Sequence, residues 1–206
     1  MADMKIVRQK CYRQLNKNAG KGQIVFAGSS LCELFPVNEM LVNRGENMIV
    51  YNRGISGDTI PGYRQKINDC ILDLQPKKLF INIGTNDMNP EEFDEAALIS
   101  GYEELLNTVL EAVPGVKIYV LSYYPINEEM LQAQPWPCYR TNARVASTNA
   151  AVRAMCGRMG LKYVEVGKSL TDENGQLKAE WTMDGMHMYP EAYETVLDEL
   201  MPYIKE

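Results

Sequence analysis

Residues 23–31 read Gln23-Ile24-Val25-Phe26-Ala27-Gly28-Ser29-Ser30-Leu31, an apolar, β-favouring run that stops at a glycine and two serines. It lacks the alternation of a half-solvated strand, which suits a strand buried on both faces of a parallel sheet. Four further runs share this character: Asn47–Asn52, Lys78–Ile83, Lys117–Ser122 and Lys162–Val166. Stretches with helical spacing lie between and after them. Tyr63–Leu74 places Ile67, Ile71 and Leu74 on one face, and Pro90–Val113 opens with Pro90-Glu91-Glu92 and carries Leu98, Tyr102, Leu105, Val109 and Val113. Ala143–Met159 carries Val145, Ala146, Asn149, Val152 and Met155, and Pro190–Ile204 carries Tyr193, Val196, Leu197, Leu200 and Ile204. Alternating β and α units with short links predict a three-layer α/β/α sandwich. Right-handed crossovers make it a doubly wound, five-stranded parallel sheet of the flavodoxin-like kind. No repeat, linker or boundary interrupts the pattern, so one domain is expected over 1–206.

Composition narrows the function classes. The 206 residues are 46% hydrophobic and 23% charged, as in an ordinary globular domain large enough for its own core. The net charge of −6 supplies no general basic face for nucleic acid. The N-terminus, Met1-Ala2-Asp3-Met4-Lys5, has no apolar signal segment, and no run approaches the roughly 20 apolar residues of a membrane helix. The five cysteines form no C-x-x-C pair; they are expected as small buried hydrophobes in a cytoplasmic protein.

In an open α/β sheet, ligands bind beyond the carboxyl ends of the strands. Four polar clusters are expected at that edge. They are Gly28-Ser29-Ser30-Leu31, Asn52-Arg53-Gly54-Ile55-Ser56-Gly57-Asp58-Thr59, Gly84-Thr85-Asn86-Asp87, and Asp184-Gly185-Met186-His187. None is a phosphate-binding glycine loop. Singly, each reads as ordinary structure: turn glycines, a serine N-cap, a turn asparagine, a histidine with no task. Together they hold the parts of an acyl-transfer site. A serine needs an adjacent base, histidine suits neutral pH, a carboxylate orients the imidazole, and an oxyanion needs fixed donors. The chain has one histidine, His187, three residues after Asp184.

At these residues the sequence resembles the GDSL family of lipases and esterases, also called SGNH hydrolases. The resemblance implies Ser30 as nucleophile, Asp184 and His187 as its partners, and an oxyanion hole of Ser30, Gly54 and Asn86. Ser29 stands where the family carries Asp, which leaves Ser29 beside Ser30 as the second candidate serine. The blocks keep the family's order from about residue 23 to 205. Asn52–Thr59 and Leu177–Gly185 further resemble the branch similar to platelet-activating-factor acetylhydrolase catalytic subunits. That likeness implies a serine esterase for short acyl groups on a sugar or lipid, with water as acceptor and neither metal nor organic cofactor.

Two irregular stretches remain. Tyr124–Thr141 is a loop with a short helix expected at Glu128–Gln132, and Thr171–Gly185 contains the turn Asp172-Glu173-Asn174-Gly175. Tyr123, Tyr124, Trp136 and Tyr139 are expected either to wall the cleft or simply to pack the loop, with Trp136 and Tyr139 as the candidate substrate-binding residues. The expected partner is a small-molecule ester, with no nucleic acid and no membrane insertion, and a homodimer is left open. The alternatives are a catalytically idle glycan- or lipid-binding module on the same fold and, further off, a flavin carrier.

Overall fold

The computed structural model describes residues 3–206; Met1 and Ala2, part of the expected 1–206 domain and of the N-terminal reading, lie outside the described residues. β1 (Ile24–Gly28) is central. It pairs in parallel with β2 (Val50–Gly54) on one side and β3 (Lys78–Asn82) on the other. β4 (Lys117–Leu121) and β5 (Lys162–Val164) complete the order β2-β1-β3-β4-β5, also parallel. Gly28 pairs with both Gly54 and Asn82, so the loops after β1, β2 and β3 leave the sheet at one level. The chain moves to one side of β1 for β2 and to the other for β3, which makes this edge the switch point of the sheet.

Successive strand residues face opposite layers. Val25, Ala27, Leu79, Ile81 and Val120 pack with α4 (Ile60–Arg64), α5 (Ile67–Cys70), α6 (Glu95–Ala112) and α8 (Asn142–Met159). Tyr12 of α1 (Met4–Asn16) joins that core. Ile24, Phe26, Phe80, Tyr119 and Leu121 pack with α2 (Ser30–Glu33), α3 (Val37–Asn43) and α9 (Pro190–Lys205). A small third cluster of Ile126, Leu131 and Met186 ties α7 (Glu128–Gln132) to the turn before α9. No helix among the described residues is long and apolar enough to cross a membrane.

Several elements differ from the sequence expectation. The single helix expected over Tyr63–Leu74 is two short helices and a 3-10 turn at Leu72–Leu74. Lys66 breaks it: its Nζ donates back to the Gly62 carbonyl at 2.7 Å and lies 3.1 Å from the buried Asp58 carboxylate. Ile67, Ile71 and Leu74 are nevertheless all buried. α6 begins at Glu95, not Pro90, because Asp94 caps it through Ala97 N–H while Arg144 holds the Met88 and Pro90 carbonyls outside the helix. β2 starts three residues later and ends two later than expected, set by its register on β1. On α8, Thr148 is buried in place of the expected Ala146. α1 was not expected; only Tyr12 of it is buried, and Arg13 reaches Asp69 on α5. Of the cysteines, Cys32, Cys70 and Cys156 are buried as expected, whereas Cys11 is exposed and Cys138 half-buried.

Candidate active site

The site grows from the end of β1. Ser29 has non-helical backbone angles and its side chain does not cap α2; its Oγ lies 3.0 Å from Thr85 Oγ1, out of contact with solvent. Ser30 is the first residue of α2, so its N–H is among the donors that a helix start leaves without an internal partner. The Ser30 side chain turns to the cleft, with Oγ 2.9 Å from His187 Nε2. His187 Nδ1 lies 2.6 Å from Asp184 Oδ2.

The turn carrying Asp184 and His187 is held from both ends. Asp184 Oδ1 accepts the N–H groups of Met186 and His187 at 3.0 and 2.8 Å, while Oδ2 faces the imidazole. Burial raises the Asp184 carboxyl, but hydrogen bonds from the His187 ring and from the His187 and Met186 N–H groups outweigh it. The net pKa is below the ordinary carboxylate value. Thr182 Oγ1 accepts from Gly185 N–H and donates to the His187 carbonyl. Gly185 has φ +94°, and a Cβ there would lie 2.6 Å from both Asn127 O and Leu131 N, so the turn rests directly on α7.

Asn86 follows β3 and is half-buried. Its Nδ2 donates to the Asp58 carbonyl at 2.8 Å, and its Oδ1 accepts from Asn89 Nδ2 at 3.4 Å. The neighbouring Asp87 accepts Ile60 N–H, which pins the loop after β2 to the loop after β3. Burial raises the pKa of that carboxyl.

Gly54 corrects the sequence expectation. It is the last residue of β2, it is buried, and its N–H donates to Asn52 Oδ1 at 2.9 Å, so it has no donor to offer an oxyanion. A Cβ at Gly54 would lie 2.2 Å from Glu33 N; the glycine is required because α2 crosses β2 there. Gly57, three residues on, is exposed, and no group among the described residues accepts its N–H. It was already visible in the Gly57-Asp58-Thr59 run but is not separable from Gly54 by spacing alone.

A cleft of about 380 Å³ joins Ser30, Ser56, Gly57, Asn86 and His187. Leu34, Met186 and Trp136 supply its apolar lining, and Asn89 its remaining polar one. Of the aromatic residues, only Trp136 reaches it. Tyr139 is fixed through its N–H to the Asn89 carbonyl, and its side chain is exposed outside the cleft lining. Tyr123 and Tyr124 are core residues, the former donating to the Ile83 carbonyl. Asn89, on the cleft lining, and Arg140, buried behind it, had no sequence signal. A hydroxyl bonded to an imidazole that a carboxylate holds is chemically suited to general-base activation of the hydroxyl.

A sequence model described as the GDSL-like Lipase/Acylhydrolase family matches residues 36–195. The match begins after Ser30 but takes in Gly57, Asn86, Asp184 and His187. No curated protein matches the chain. Solved structures do. A Streptococcus pneumonia protein described as a candidate platelet activating factor is 29% identical, with TM-score 0.87, over 98% of this chain and 92% of that one. A candidate acylhydrolase from Bacteroides fragilis is 22% identical, with TM-score 0.80, over 100% and 98%. A GDSL-like lipase from Bacteroides thetaiotaomicron is 22% identical, with TM-score 0.78, over 96% and 97%. The last two likenesses speak to the fold, while the family match spans most of the chain and most of the cleft. On those grounds the chain belongs to the GDSL-like lipase/acylhydrolase family and is a hydrolase of ester bonds.

Proposed function

We propose that the protein is a serine esterase for short acyl groups carried on a sugar or lipid alcohol. The observation that carries this reading is His187, whose two ring nitrogens reach Ser30 Oγ at 2.9 Å and Asp184 Oδ2 at 2.6 Å. Ser30 Oγ attacks the ester carbonyl carbon while its proton passes to His187 Nε2. Asp184 keeps Nδ1 protonated and stabilises the imidazolium. The carbonyl oxygen becomes an oxyanion held by the N–H groups of Ser30 and Gly57 and by Asn86 Nδ2. The C–O bond to the alcohol then breaks, and His187 returns its proton to the departing oxygen. Water repeats the sequence in reverse on the acyl-serine, releasing the acid.

The support for the short-acyl preference is that Trp136, Leu34 and Met186 give apolar walls to a cleft of about 380 Å³ beside Ser30. The test is hydrolysis of p-nitrophenyl acetate by the wild type and by Ser30→Ala. Turnover lost in Ser30→Ala, with an unchanged melting temperature, is the expected result. No hydrolysis by the wild type of p-nitrophenyl esters, acetylated sugars or acylated lipids would instead favour a binding module on the same fold.

A further inference from the structure

Arg140 is a charged side chain inside the fold, 4% exposed, and its guanidinium hydrogen-bonds to a neutral partner. Buried arginines ordinarily face carboxylates. Here Nε and Nη2 converge on a single atom, Asn89 Oδ1, at 3.1 and 2.8 Å. Burial pulls the Arg140 pKa down, while nearby groups including the Asp184 carboxylate push it up; a guanidinium stays charged at neutral pH in any case. Cys138 Sγ also approaches Asn89 Oδ1, at 3.2 Å, and Tyr139 N–H donates to the Asn89 carbonyl.

The chemistry of the donors makes this a one-way chain. A guanidinium only donates, so Asn89 must turn Oδ1 toward it and Nδ2 away. Asn89 Nδ2 then meets Asn86 Oδ1 at 3.4 Å, and Asn86 must turn its own Nδ2 to the opposite side. There one hydrogen goes to the Asp58 carbonyl, which only accepts, at 2.8 Å. A flipped Asn86 would set its carbonyl oxygen against the Asp58 carbonyl and against any oxyanion in the cleft. Both ends of the chain thus oppose the flip.

We propose that Arg140 is a positioning residue that acts through Asn89 to keep the amide N–H₂ of Asn86, and not its carbonyl oxygen, available to the oxyanion. The inference rests on the oxyanion role of Asn86 proposed above. A side chain that could both donate and accept would leave the two amides free to reverse, whereas a guanidinium only donates.

The experiment measures kcat and KM for p-nitrophenyl acetate, together with melting temperature, in Asn89→Asp, Arg140→Met and Asn86→Ala and in the double variants with Asn86→Ala. Asn89→Asp keeps an acceptor for Arg140 and gains an ion pair with it, so the fold is retained even where Arg140→Met fails to fold. It loses the donor to Asn86 and also adds a negative charge to the cleft lining, so Arg140→Met, which adds no such charge, is read beside it. Its kcat should fall about tenfold, less than the roughly 10²–10³ that deleting an oxyanion donor costs, with KM unchanged and no loss in melting temperature. In the Asn86→Ala background Arg140→Met should not lower kcat further, and Asn89→Asp should lower it by less than it does in the wild type, the remainder being the effect of the added charge. Unchanged kcat in Asn89→Asp, or an equal further loss in the Asn86→Ala background, overturns the relay while leaving the oxyanion role standing. Full turnover in Asn86→Ala overturns the oxyanion role itself, and the relay with it.

Discussion

Ser29 Oγ lies 3.0 Å from Thr85 Oγ1 beneath the cleft, while the next residue, Ser30, turns its Oγ to His187 Nε2 at 2.9 Å. Two adjacent serines that are chemically equal in the sequence therefore occupy different environments: one bridges the β1 and β3 loops, the other faces the imidazole. Ser30→Ala should lose on the order of 10⁶ in kcat with little change in stability. Ser29→Ala strands the buried Thr85 hydroxyl and should cost about 1–3 kcal/mol of stability, with far less effect on turnover. Steady-state kinetics and thermal melts of both variants check the assignment; loss of turnover in Ser29→Ala alone would reverse it.

Asn86→Ala removes one donor from the proposed oxyanion hole. Its kcat should fall by about 10²–10³, with KM nearly unchanged, because the interaction forms only in the transition state. A variant that melts early but turns over normally would make Asn86 a turn residue.

Gly54→Ala separates structure from catalysis at the other candidate glycine. Its Cβ would lie 2.2 Å from Glu33 N and 2.6 Å from Glu33 Cα, so the backbone of α2 must move. The expected outcome is destabilisation beyond the roughly 1 kcal/mol of a typical substitution, read as a lowered denaturant midpoint. A Gly54→Ala variant as stable as the wild type would show that α2 does not rest on β2 this closely.

Asp184 contributes a pH-dependent share of stability. Burial raises its pKa, but the His187 ring and two backbone N–H groups bring it below the ordinary value. A carboxyl depressed in the folded state adds stability that is complete above its unfolded pKa, about 3.9. That share is lost as pH falls through the lower folded value. The gap in melting temperature between wild type and Asp184→Asn should therefore narrow as pH falls below about 4. A gap that keeps widening below that pH would contradict the direction of the shift.

Trp136 is the aromatic residue that lines the cleft, and it is 45% exposed. Trp136→Ala should relax the acyl preference across p-nitrophenyl acetate, butyrate, octanoate and palmitate. Each added methylene is worth at most about 1–3 kcal/mol in an apolar pocket, so the profile should flatten by degrees. An unchanged profile removes Trp136 as the wall, and a wild type that prefers palmitate removes the short-acyl reading.

Much of this architecture was legible because it is written in local pattern. Unbroken apolar runs such as Ile24–Ala27 and Leu79–Ile81 mark strands covered on both faces, and the helix over Glu128–Gln132 follows its Asn127 cap. The family blocks brought Ser30, Asn86, Asp184 and His187 to one sheet edge, because strand ends in a parallel sheet share a level. Less was legible where side chains fold back on distant backbone. Lys66 divides a periodic segment by reaching Gly62 and Asp58, and α1 is held by Tyr12 and Arg13.

By itself, then, the sequence determined the parallel α/β order and the set of reactive residue types, since burial on both faces and strand-end loops follow from pattern alone. Only the tertiary structure decided which serine is free, which glycine keeps an unspent N–H, and which aromatic residue reaches the cleft. It alone placed Arg140 behind Asn89. Those outcomes depend on hydrogen-bond partners far apart in the chain: Ser29 with Thr85 and Arg140 with Asn89, and α2 with β2 where Gly54 meets Glu33. Donors and acceptors are consumed pairwise when the chain closes on itself, and which of them remain unspent has no signature in local spacing.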